Sequence, residues 1–253
     1  MEMEVTTDFP VFKDFINLLK VAGEEHSLEA HEDAIKVTSM DPSHVLMVDV
    51  TYPNSLFESY GIVGEKELVT LNMNELARFL DRIGKGTKVK MALNREKARF
   101  IINSTKAGFH RNFEIPLFED YEGEVPEPKL SFKSKGRITV KGIETAFKDA
   151  QLVAEHVVIN LEGNTMQIIG DGDSGRAFSE WVKGSDDLLD LTIEEDSKAT
   201  YTLSYLISII NGLKPLADVV NVELSTDMPL KIEAECTKEQ LKIICYLAPC
   251  IGV

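Results

Sequence analysis

With 253 residues, 43% of them apolar, and a formal net charge of −15, the chain can bury a sizeable core and is too acidic to coat nucleic acid with its whole surface. No apolar run approaches the ~20 residues of a membrane-spanning helix, and the acidic opening MEMEVTTDF is unlike a signal peptide. Three cysteines without CxxC spacing, Cys236, Cys245 and Cys250, read as reduced thiols packed as small apolar residues inside a cell.

Taken in chain order, the first signal is a helical stripe at Phe12, Phe15, Ile16 and Leu19, apolar at i, i+3, i+4 and i+7. The same spacing returns at Leu76, Phe79, Leu80 and Ile83, then at Ile143, Ala146, Phe147 and Ala150, and again at Leu206, Ile209, Ile210 and Leu213. The starting positions step by 64, 67 and 63 residues, which predicts a repeated unit of about a quarter of the chain. Gly23, Gly84 and Gly212 fall where left-handed caps would end three of these helices. Between helices the period becomes two, in VLMVDV (45–50), VKMAL (89–93), ARFII (98–102), HVVINL (156–161), MQIIG (166–170) and VVNVEL (219–224). Glu25-His26 and Glu155-His156, like Asp41 and Asp171, are 130 positions apart, so the halves echo each other, and with the quarter-length helix period each half is itself expected to be a duplication. The predicted fold is α+β: two similar domains, 1–117 and 132–253, each a doubled helix-plus-antiparallel-strand unit. A strap at 118–131 joins them, within the acidic, proline-bearing LFEDYEGEVPEPK (117–129).

Charge is unevenly placed. Residues 72–90 carry Arg78, Arg82, Lys85, Lys88 and Lys90 against Glu75 and Asp81, whereas SDDLLDLTIEED (185–196) holds six acids and no base. Lys13 with Lys20, Arg78 with Arg82, and Lys141 with Lys148 each share a helix face, while the fourth helix contributes only Lys214. This predicts a positive surface on the repeated helices inside a negative shell. Separately, ICYLAPCIGV (244–253) is an uncharged segment in an acidic protein, which predicts an apolar surface with a use.

SMDPSHVLMVDV (39–50), GDSGRAFSEWVK (172–183), TDMPLKIE (226–233) and YLAPCI (246–251) resemble, in that order and across the whole chain, segments of the DNA sliding clamp family of the proliferating cell nuclear antigen type. The resemblance implies a ring trimer closed by pairing of edge strands, with helices around duplex DNA and sheets outside. Lys13, Lys20, Arg78, Arg82, Lys85, Lys141, Lys148 and Lys214 would then meet phosphate without reading sequence. Strands at FHRNFEIPL (109–117) and RAFSEWVK (176–183) would close the ring through Phe109, Arg111, Phe113 and Ile115 on one side and Arg176, Phe178 and Trp181 on the other. An outer groove for short hydrophobic motifs maps onto Met40, His44, Val45, Met47, Val125, Pro126, Pro229, Tyr246, Ala248 and Pro249. Implied partners are duplex DNA, further copies of the chain, a clamp loader, DNA polymerase, flap endonuclease and DNA ligase, with no membrane. The implied location is intracellular: cytoplasm or nucleoid in an archaeon, nucleus in a eukaryote. Cys250 stands where the family commonly has a basic residue.

No catalytic residue, cofactor or metal is expected. GDGDSG (170–175) faintly resembles a calcium loop, yet Val182 stands where that loop needs its bidentate glutamate, so a tight turn is the better reading. A metal-dependent hydrolase on Asp41, Asp171 and Asp173 is the enzyme alternative, and a subunit of a heteromeric or damage-signalling clamp is the alternative within the family.

Overall fold

The computed structural model describes residues 3–84, 87–120, 128–238 and 240–252. Two compact units divide the chain: Met1–Met40 with Asp49–Val125, and Asp41–Val48 with Pro126–Val253. In the first half of the sequence the elements run β1 (Met3–Asp8), α1 (Phe9–Leu19), β2 (Glu25–His31), β3 (Ala34–Met40), β4 (Leu46–Pro53), β5 (Phe57–Ile62), β6 (Lys66–Asn72), α2 (Met73–Asp81), β7 (Lys88–Asn94), β8 (Arg99–Lys106) and β9 (Phe109–Pro116). The second half runs β10 (Ser134–Thr139), α3 (Val140–Gln151), β11 (His156–Glu162), β12 (Thr165–Gly172), β13 (Gly175–Val182), β14 (Leu188–Ile193), β15 (Ser197–Thr202), α4 (Leu203–Leu213), β16 (Ala217–Leu224), β17 (Leu230–Cys236) and β18 (Lys242–Leu247).

The first unit has strand orders β5-β1-β7-β8-β9 and β4-β3-β2-β6, and the second has β14-β10-β16-β17-β18 and β13-β12-β11-β15. These orders coincide when β10 stands for β1, β18 for β9 and β13 for β4. The duplication read from helix spacing is therefore present in the sheets as well.

The four stripes are buried as expected. Phe12, Phe15, Ile16 and Leu19 are inside the first unit, and Leu206, Ile209, Ile210 and Leu213 are inside the second. Phe79 is the exception, half-exposed and in tilted contact with Phe113 of β9, with ring centroids 5.1 Å apart. Each helix follows directly on a strand, and at α2 and α3 the last strand residue is extended and serves as the cap. Asn72 accepts the Glu75 N–H at 3.0 Å and Thr139 accepts the Gly142 N–H at 3.0 Å, satisfying donors that a helix start leaves open. The expected glycine caps are corrected in part. Gly23 has φ 136 and does follow a 3-10 turn at Lys20–Ala22, but Gly212 lies inside the last turn of α4, and neither it nor Gly84 has positive φ.

Strands β1, β6, β10 and β15, which lead into the helices, escaped the hydrophobic alternation. In β10 the inward positions are Ser134, Gly136 and Ile138, and in β15 they are Ser197, Ala199 and Tyr201. Small residues face the core there because larger ones already fill it: a Cβ on Gly136 would lie 3.4 Å from Met166 Sδ and 3.6 Å from a Leu188 methyl. GDGDSG forms the β12–β13 hairpin turn, with Gly172 opposite Gly175.

Candidate functional site

The positive residues sit on two helix pairs, one in each unit. In the first, α1 packs on α2 and Lys13 forms an ion pair with Asp81 at 2.6 Å. In the second, α3 packs on α4 and the buried Glu144 binds Lys148 at 2.6 Å and Lys214 at 2.9 Å. The two ammonium groups hold the Glu144 carboxyl below the usual carboxylate range, Lys148 contributing first and Lys214 second, against a smaller opposing effect of burial. One carboxylate thus serves two lysines, and the trio keeps a single net positive charge. Lys20, Arg78, Arg82 and Lys141 are exposed and have no ion pair among the described residues. Lys85 lies outside the described residues.

Among the described residues β5, β6, β9, β13, β14 and β15 end sheets, and β9 and β13 are the two on which ring closure is expected. β9 ends one sheet of the first unit and β13 ends one sheet of the second. Phe109 is 65% exposed, with the Arg111 guanidinium 5.5 Å from its ring centre, and Phe178 is 53% exposed. Phe113 and Trp181 are half-buried and Arg176 is exposed. Ile115 departs from the expectation: it is fully buried inside its own unit and presents no side chain to a neighbour. Beside each edge is a hollow. One of about 400 Å³ is lined by Arg78, Phe79, Arg82, Phe113, Glu114 and Pro116. The other, of about 560 Å³, is lined by Lys141, Thr145, Glu180, Trp181, Asp186 and Asp187.

The predicted groove residues fall into distinct pieces. His44, Val45 and Met47 belong with Pro229, Tyr246, Ala248 and Pro249 in the second unit, whereas Met40 is counted with the first. Val125 and Pro126 lie outside the described residues. The 41–46 loop is wound about one carboxylate. Asp41 accepts the N–H groups of Val45 and Leu46 at 2.7 Å each and of Ser43 at 3.1 Å, and the Tyr205 O–H at 2.9 Å. Burial would raise the Asp41 pKa, but these donors outweigh it and hold the group below its usual value. Residues 46–48 lie along the outer edge of β18, and Ala248 donates its N–H to the Val45 carbonyl at 2.8 Å. Met47 and Tyr246 are buried, so His44, Val45, Pro229, Ala248 and Pro249 supply the accessible surface. A hollow of about 380 Å³ adjoins Tyr246, lined also by Pro128, Leu130, Phe132, Glu223 and Lys231. Leu130 and Phe132 carry no sequence signal, because they flank the proline-rich strap without any period.

Asp41 has its oxygens committed to the loop, and Asp171 and Asp173 are exposed at the β12–β13 turn. Among the described residues no three His, Cys, Asp or Glu side chains converge to hold a metal, and no helix is long and apolar enough to cross a membrane.

Comparison with known proteins accords with this architecture. Residues 1–120 match the family described as proliferating cell nuclear antigen, N-terminal domain, and residues 128–250 match its C-terminal domain. Among curated relatives, the "DNA polymerase sliding clamp" of Pyrococcus abyssi is 30% identical over 240 residues, 94% of each chain, and that of Thermococcus onnurineus is 31% identical over the same shares. The fold is shared with the PCNA crystal structure from Thermococcus kodakaraensis, at a TM-score of 0.89 and 21% identity over 98% of this chain and all of that one. A PCNA2–PCNA3 complex from Sulfolobus tokodaii superposes at a TM-score of 0.86 and 20% identity, covering 97% and 98% of the two chains. The chain belongs to the proliferating cell nuclear antigen family of DNA polymerase sliding clamps.

Proposed function

We propose that this chain is a DNA sliding clamp. Three copies join head to tail into a ring around duplex DNA, helices inward, and the outer groove tethers polymerase and other replication or repair enzymes. The clamp itself makes and breaks no bond. One observation carries the ring: the second unit covers its β18 edge with residues 46–48, the start of β4, while the equivalent strands β9 and β13 are open. A β9 edge meeting the β13 edge of a second copy would repeat, between chains, a pairing the chain already uses. Head-to-tail contacts of this kind close when the rotation permits.

Phosphate contact by the helices supports sliding, since it carries no sequence information. Lys20, Arg78, Arg82 and Lys141 are the strongest candidates, because Lys13, Lys148 and Lys214 are partly neutralised by Asp81 and Glu144. The test is solution mass at low salt, expected at three times the 28.2 kDa chain, together with retention on circular but not linear duplex. A monomer at micromolar concentration would overturn self-closure and favour a ring built with different subunits. A preference for base sequence would overturn sliding.

A further inference from the structure

We infer that the β15–α4 corner, residues 200–205, is the positioning element of the partner groove, with the Tyr205 hydroxyl setting the 41–46 loop through Asp41. The inference rests on the groove reading above. Three pieces of that groove are tied to this short stretch by separate hydrogen bonds. Tyr205 reaches the loop bearing His44 and Val45, 164 positions away in sequence, through Asp41 at 2.9 Å. The fully buried Tyr201 donates its O–H to the Met228 carbonyl at 2.7 Å, one residue before Pro229. Thr200 accepts the Cys250 N–H at 2.8 Å through its carbonyl, and the Thr202 hydroxyl lies 3.2 Å from Cys250 Sγ, next to Pro249.

The helix start itself marks this corner as different. Asn72 and Thr139 use their side chains to cap the helices they precede, whereas Thr202, at the equivalent place before α4, makes no capping hydrogen bond and turns its hydroxyl to Cys250. Forgoing a cap bond weakens a helix start, so its replacement by a contact to segment 248–250 is a feature of this site. Asp41 likewise gathers three N–H donors from its own loop, and the fourth donor comes from another element. The loop's internal shape is thus local, while its placement beside the other walls depends on Tyr205 together with the Ala248 N–H bonded to the Val45 carbonyl. Tyr205 is half-exposed, so removing one hydroxyl leaves the core intact.

The test uses the full chain and a synthetic peptide carrying a glutamine, an aliphatic residue and two aromatics at helical spacing. Tyr205→Phe should weaken peptide affinity about ten- to a hundredfold, the loss of one hydrogen bond to a charged acceptor, with solution mass unchanged. In the same variant the amides of Ser43, Val45 and Leu46 should exchange faster with solvent, a local readout that general destabilisation would not confine to the loop. In an Asp41→Ala background, which removes the acceptor, Tyr205→Phe should change affinity little further, because the contact is already broken. Tyr205→Phe binding and exchanging like the parent would overturn the inference, as would weaker binding with no change at those amides. A parent chain that fails to bind the peptide would instead overturn the groove reading, and this inference with it.

Discussion

Asp41 shows how much one side chain can organise. Its pKa is depressed in the folded chain, so its contribution to loop order is complete above the ordinary aspartate value of about 3.9 and is lost only as pH falls through the lower folded value. Peptide affinity measured down to pH 4 should therefore survive as far as Asp41 is concerned. Met47 carries a different lesson. The family resemblance placed it on the groove wall, but it is buried at 3% exposure, and Met47→Ala should cost about 2–5 kcal/mol of stability as a core truncation. Urea denaturation will show this, and affinity loss in that variant is not evidence of contact. Little of this was legible beforehand. Asp41 lies in the SMDPSHV segment but Tyr205, far away in sequence, carries no motif that pairs the two, whereas Met47 looks the same whether it faces a partner or its own core.

At the scale of elements, the helices were legible because their buried stripes repeat at 3.6-residue spacing, and the leading strands β10 and β15 were not because serine, glycine and alanine do much of their inward packing. The β12–β13 hairpin is legible in both respects. A Cβ on Gly172 would sit 2.1 Å from the Val153 carbonyl oxygen, a backbone atom that cannot swing aside. Gly172→Ala should cost at least the roughly 1–3 kcal/mol typical of overpacking, read as a lowered melting temperature. The α3–α4 pair makes a prediction about charge. Glu144→Gln removes the carboxylate that Lys148 and Lys214 share and adds one positive charge to the helix surface. DNA retention should then become more salt-dependent, by about one unit of log–log slope for each further phosphate neutralised. An unchanged slope would mean that these lysines do not meet phosphate.

For the whole molecule, the proposed ring rests on two of the sheet edges, β9 and β13. Phe178→Asp places an exposed charge on β13 without touching the core, and it should convert the proposed trimer to smaller species, measured by light scattering. Arg78 and Arg82 can be assigned by the same instrument. Replacing them and Lys20 with alanine should weaken DNA retention at constant mass. A fall in mass would reassign the arginines to closure, since both border the hollow beside β9. Length, duplication and the resemblance together made the architecture legible, but no pattern of residues revealed which open edge had already found a partner within the chain.

Residues 41–48 come from the first half of the sequence and belong to the second unit, so the order of the chain and the division of the fold do not coincide. A fragment starting at 128 would contain every helix and strand of its half and still lack the neighbour of β18 and the acceptor for Tyr205. Such a fragment should self-associate through its bare edge when expressed alone. Adding a synthetic peptide of residues 38–50 should return it to a monomer, with saturation at one peptide per fragment. Complementation in trans would make the short segment a removable part of the groove, into which altered loops could be introduced without remaking the protein.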